Sequence, residues 1–210
     1  MSAVFALAAG CAAPPPQRMA TYMSPTLPDE LPARVVVVPF SAPACTADDG
    51  PMVTQSMALA IQSTLLCDVV PARAEDERLA AESALWQRGK VDVESLVVAR
   101  KNYMADAFLF GTITQYKPYD PPILGLKLRM LSARTGDVLW AAEALFDAHD
   151  QTTRSKARDY FKDSGLRGRL YGPDLMFMSP KLYAGFVASE IARPLGERIQ
   201  RERASVAAGK

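Results

Sequence analysis

The sequence predicts a single mixed-sheet α/β domain in the order β-α-β-α-α-β-β-β-α, with helices mainly on one face and a disordered N-terminal tether ahead of it. Three observations carry this expectation. Residues 34–40, RVVVVPF, form a short run of β-branched residues ended by proline, the pattern of a strand buried on both faces. Residues 106–116, 123–131 and 137–146 are three long strand-like runs in close succession. Helical spacing fills the stretches between the early strands and after the last one.

After the first strand and the loop SAPACTADDGPM, the residues from Val53 to Leu66 read as a helix, with Met57, Ala58, Ile61 and Leu65 on one face. Asp68 to Ala72 is a short second strand that Pro71 demotes toward an edge. Two helices follow, about Glu75 to Arg88 and Val93 to Tyr103, separated by Gly89 as a C-cap. In the run from Ile123 to Leu131, Leu124, Leu126, Leu128 and Met130 alternate with Gly125, Lys127, Arg129 and Leu131. One face is therefore core and the other largely solvated. SARTG joins this run to the next as a hairpin connection, with Gly136 where positive φ is cheap.

Asp150 to Arg169 is charged and helix-compatible, with a break at Gly165. Ser179-Pro180 starts the closing helix, serine at the N-cap and proline in the first turn, and Pro194 should kink or restart it. The expected boundaries are a signal remnant over 1–10, a lipidated cysteine and proline-rich tether over 11–33, a globular domain over 34–200, and a disordered tail over 201–210.

Composition narrows the function. With 49% hydrophobic and 22% charged residues, the 210-residue chain has apolar material for one core. Lys plus Arg number 24 against 23 for Asp plus Glu, a balance that leaves no footprint for a polyanion and makes nucleic acid an unexpected partner. The single histidine, His149, lies in FDAHDQTT between Asp147 and Asp150 and reads as an exposed turn residue, not a metal ligand. Adjacent acids, Asp48-Asp49 and Glu75-Asp76-Glu77, sit near helix starts, where carboxylates complement the helix dipole. No nucleophile elbow, glycine-rich phosphate loop, CxxC or HExxH occurs, so the expectation is a non-enzyme without cofactor or metal.

The N-terminus carries the sharpest signal. Val4 to Ala9 is apolar, Gly10-Cys11 closes it, and AAPPPQ follows. This resembles the lipobox of bacterial lipoproteins, where signal peptidase cuts before a cysteine that becomes acylated. Ala8 stands where leucine is usual, and no Lys or Arg precedes the apolar run; a start codon placed too far downstream would account for the latter. Pro14, Pro15, Pro16, Pro25, Pro28 and Pro32 favour an extended spacer. The resemblance implies that Cys11 carries palmitate and the prolines hold the domain off the membrane, with the outer membrane favoured because Ala12 lacks the aspartate that signals inner-membrane retention. Of the remaining cysteines, Cys45 and Cys67 lie at opposite ends of the first helix, about 20 Å apart at 1.5 Å per residue, and are expected to be unpaired with at least one buried in the core.

ADAFLFGTITQY followed by GLKLRMLSARTGDVLWAA, with the early Val38-Pro39-Phe40, resembles a group of bacterial envelope lipoproteins. The group includes the curli secretion lipoprotein CsgG, the penicillin-binding-protein activator LpoB and the N-terminal domain of TolB. The resemblance spans roughly residues 34–147. It implies a fold and an envelope compartment; the tether, the balanced charge and the lack of a catalytic motif add the expectation of a lipid-anchored periplasmic protein that docks non-catalytically onto a cell-envelope complex. The alternative it implies, an oligomeric secretion channel, needs transmembrane hairpins of about 9–11 residues per strand that the sequence has no room for. Self-association as such stays open. Candidate partner-binding residues are Tyr119, in YKPYDPP, and Tyr171, Met176 and Phe177, in LYGPDLMFMSPKLY, since tyrosine and methionine are favoured at interfaces. The competing reading is that the Met-Phe-Met segment covers the sheet as core.

Overall fold

The computed structural model describes residues 19–27, 31–43, 45, 48–65, 67–73, 76, 79, 85, 92–119, 121–165 and 171–208. It is a mixed α/β fold on one six-stranded sheet, in the order β1-β6-β5-β4-β2-β3. The strands are β1 (Met19–Met23), β2 (Arg34–Val37), β3 (Asp68–Pro71), β4 (Ala107–Lys117), β5 (Ile123–Ser132) and β6 (Val138–Asp147). The helices are α1 (Asp49–Leu65), α2 (Val93–Tyr103), α3 (Gln151–Asp163), the single turn α4 (Leu175–Met178) and the long α5 (Pro180–Ala208).

The order of crossovers explains the layers. From β2 the chain steps outward to β3 through α1, then returns past β2 to β4 through α2; β2 is parallel to both neighbours. Right-handed crossovers in opposite directions place their helices on opposite faces. Accordingly Val35 and Val37 point into one core with α1, α3, α4 and α5, while Val36 and Val38 point into a second with Leu96 and Ala99 of α2. All four valines are fully buried, as the unbroken β-branched run requires. From β4 onward the strands are antiparallel, and the alternation expected of β5 is observed: Leu124, Leu126, Leu128 and Met130 are core, Lys127 and Arg129 half-exposed.

Three expectations are corrected. Within the span 11–33 taken as a spacer, MATYM forms edge strand β1, antiparallel to β6. Prolines flank this stretch but none interrupts it, and β6 supplies the hydrogen bonds that local residues cannot. The described fold thus begins at Met19 and not at residue 34. At the other end, residues 201–208 continue α5, supported by the Arg198 to Glu202 ion pair at 3.0 Å one turn apart; the helix also passes through Pro194 without ending. Cys45 and Cys67 are free as expected, but both are half-buried against the core and neither is inside it. Most of the helix expected over Glu75 to Arg88, with its Gly89 cap, lies outside the described residues; Leu79 within it is buried in the second core.

Local signals set the helix ends. Asp92 caps α2 by accepting from Glu94 and Ser95 N–H, and Asp150 caps α3 by accepting from Thr153 N–H at 2.7 Å. Ser179 Oγ accepts from Leu182 N–H at the start of α5, and Gly165, at φ +71°, follows the end of α3. One close approach fixes the end of β2. Phe40 N–H donates to Thr54 Oγ1 at 3.1 Å, which lays the Phe40 ring over Gly111; a Cβ there would meet the ring at 2.5 Å. Gly111→Ala must push Phe40 out of its seat, and the expected loss is about 1–3 kcal/mol, read as a lower urea midpoint at unchanged slope.

Candidate interaction surface

Cys11 lies outside the described residues. The chain enters the fold at Met19, opposite Ala144, at the end of the sheet where β4 turns into β5 and β6 reaches Asp147. Tyr119 stands on that end, 65% exposed, in the short connection between β4 and β5. Tyr171 is equally exposed but belongs to a different loop, where it adopts φ 72° ahead of a 3-10 turn (Gly172–Asp174) that Arg158 of α3 reaches through Asp174. Met176 and Phe177 are 0% and 2% exposed, so they are core side chains and not partner contacts. Helix α4 turns both into the main core, and the Arg154 guanidinium covers the Phe177 ring at 4.3 Å. Met178 is the residue of that trio left outside, 56% exposed.

The polar groups near the chain's entry hold elements together. Tyr116 Oη donates to Asp49 Oδ1 at 2.7 Å, tying the end of β4 to the first turn of α1. Burial, then the Asp49 carboxylate, pushes the Tyr116 phenol well above its ordinary range. Burial and Asp49 likewise raise the Cys45 thiol, which keeps it protonated and a poor nucleophile; burial raises Cys67 as well. His149 is exposed, as its turn position predicts, with Nδ1 2.7 Å from Asp147 Oδ1, the same oxygen that accepts its backbone N–H. Glu190, nearly buried, is held by Lys156 at 3.4 Å and by Arg193. Among the described residues, no group of three or more His, Cys, Asp or Glu is placed to share a metal ion. These contacts brace the fold, and none pairs a nucleophile with a base.

One sheet face is only partly covered. Helix α2 and Leu79 cover Phe108, Phe110 and Leu131, but among the described residues none covers the same face farther along β5, β6 and β1. It presents Lys127 and Glu143 as a cross-strand pair at 3.8 Å, Arg129 opposite Ala141, and the exposed Tyr22 and Leu145. A groove of about 840 Å³ runs along its margin, lined among others by Tyr22, Ser24, Thr26, Arg129 and Arg134. The strand alternation of β5 showed that one face would be solvated. Tyr22 was missed because its strand lies among prolines.

Neither a protein-family profile nor a curated protein matches the sequence. Comparison with solved structures shows the fold. The hypothetical protein CT253 from Chlamydia trachomatis is similar at a TM-score of 0.50 and 11% identity, over 80% of this chain and 99% of that one. Looser likenesses include the PelC dodecamer from Paraburkholderia phytofirmans, at TM-score 0.46 and 15% identity over 65% of this chain and 86% of that one. Lipoprotein GNA1162 from Neisseria meningitidis follows at TM-score 0.41 and 17% identity, over 66% of this chain and 99% of that one. At such identities the likeness is one of fold, and the finer grouping with the curli secretion lipoprotein and TolB rests on the sequence motifs alone.

The buried phenols give a testable pH response. Tyr116, Tyr160 and Tyr183 are all raised by burial, with Tyr183 also donating to Phe146 O at 3.2 Å. A raised folded value means that the stabilisation is complete below the unfolded value of about 10 and is lost as pH climbs beyond it. The urea midpoint should hold to about pH 9 and fall by about pH 11, with a shallower fall in the Tyr116→Phe, Tyr183→Phe double variant. An equally steep fall in that variant would place the response elsewhere.

Proposed function

We propose that the chain is a lipid-anchored periplasmic lipoprotein that acts as a non-catalytic adaptor or assembly factor for a cell-envelope complex. The observation that carries the proposal is the junction between Cys11 and β1. Only residues 12–18 separate the lipobox-like cysteine from the first residue of the sheet. Even fully extended, that segment reaches about 29 Å at 3.6 Å per residue, so the lipid on Cys11 would hold the Met19 end of the sheet close to the bilayer. Tyr119 then lies on the membrane-proximal end, and the open face of β5, β6 and β1 stands beside it. Among the described residues no helix is long and apolar enough to cross a membrane.

The secretion-channel reading has less support. All six described strands lie in the one sheet, and residues 151–163, after β6, form helix α3. The outer membrane is the favoured location, on the reading of Ala12, with the domain on its periplasmic side.

Two outcomes test the proposal. Expressed in a bacterial host with its upstream region, the protein should fractionate with membranes and show a mass that begins at Cys11 plus acyl chains; Cys11→Ser should abolish both. An unmodified protein that keeps Met1 would remove the anchor and the adaptor reading with it. For the surface, Tyr119→Ala together with Tyr171→Ala should deplete the envelope protein co-purified with the anchored chain by about tenfold. Undiminished recovery would take those loops out of the interface.

A further inference from the structure

The two edges of the sheet differ in kind. Strand β3 is guarded as natural edges are: it is four residues long, begins with Asp68 in an ion pair with Arg34 at 2.8 Å, and ends in Pro71. Strand β1, MATYM, has no charge, no proline and no bulge, and its Ala20, Thr21 and Tyr22 are exposed. It is an unprotected template for another strand.

Its hydrogen-bonding parity is fixed by one contact. Ser24 N–H donates to Leu139 O at 2.8 Å, and Ser24 opposite Leu139 continues the register in which Met23 faces Trp140. Hydrogen-bonded pairs alternate along an antiparallel ladder, so Tyr22 and Ala20 bond to Ala141 and Glu143. The N–H and C=O groups of Met19, Thr21 and Met23 therefore point out of the free edge.

The sequence is close to a palindrome about Thr21, and this selects the occupant. We infer that β1 pairs antiparallel with β1 of a second copy, about a two-fold axis normal to the sheet between the two Thr21 residues. In this register Thr21 faces Thr21, and Met19 faces Met23 of the second copy. The three positions with outward groups meet one another, and every outward group of the strand finds a partner. The side chains also match: methionine meets methionine on the helix-covered face, alanine meets tyrosine on the other, and no charged residue of the strand is opposed. A slip of one residue would set outward groups against inward ones and is excluded. The pairing is isologous and closes as a dimer, and it joins two six-stranded sheets and their open faces into one. It does not depend on the lipid; if Cys11 is acylated, confinement to a membrane raises the effective concentration of the pairing strands.

The test uses the full chain carrying Cys11→Ser, so that no lipid contributes. Sedimentation equilibrium should show a reversible dimer. Thr21→Pro removes an N–H that only the second copy would accept, and Thr21→Lys adds a charge at the axis. Each should weaken the dimer by at least about tenfold while circular dichroism and the urea midpoint, both read at a dilution where the parent chain is monomeric, stay unchanged. Ala20→Pro, whose N–H bonds to β6, should instead lower the midpoint. In a chain also carrying Cys45→Ser and Cys67→Ser, Thr21→Cys should give a disulfide-linked dimer on oxidation. A chain that stays monomeric to about 1 mM, or a dimer that survives both Thr21 substitutions, overturns the inference. Either result leaves the question of acylation at Cys11 untouched.

Discussion

Everything in this fold follows from the two-sided burial of β2. Four successive valines, all fully buried, send Val35 and Val37 to one side and Val36 and Val38 to the other, so the centre of the sheet needs a layer on each face. Helices α1 and α5 supply the first layer, and their close contact requires a glycine: a Cβ on Gly196 would meet Thr64 Cγ2 at 2.7 Å. Helix α2, eleven residues long, supplies the second layer together with Leu79, over β2, β4 and the Leu131 end of β5. Beyond Leu131, none of the described residues covers that face over β5, β6 and β1.

Where a signal is local, the sequence carries it. The β-branched run of β2, the alternation of β5, the cap at Ser179 and the break at Gly165 each depend on a few neighbouring residues, and each is found in the structure. Strand β1 depends on a partner more than a hundred residues away, and a reading dominated by proline content had no means to see it. The end of α5 likewise continues past the core, with the Arg198–Glu202 ion pair along it.

The candidate surface was legible in part. Tyr119 and Tyr171 are exposed, as loop tyrosines flanked by glycine and proline should be. Met176 and Phe177 are not, because an apolar cluster without periodicity can cap a core as readily as it can face a partner, and a single helical turn suffices to bury both. Tyr22 and Leu145, on the open face, gave no such signal: each is an isolated large side chain on the solvent side of an alternating strand, which is common on any protein. Their significance comes from lying on one uncovered face, beside the point where the chain leaves toward Cys11.

On the proposed function, this face, held near a membrane by the N-terminal segment, is where the protein meets the envelope. Hydroxyl-radical footprinting compares it most directly in two settings, the purified chain and the intact bacterial envelope. Tyr22, Leu145 and Tyr119 should be oxidised in the purified chain and shielded in the envelope, with Met176 and Phe177 protected in both. Equal oxidation of Tyr22, Leu145 and Tyr119 in the two settings would contradict the account.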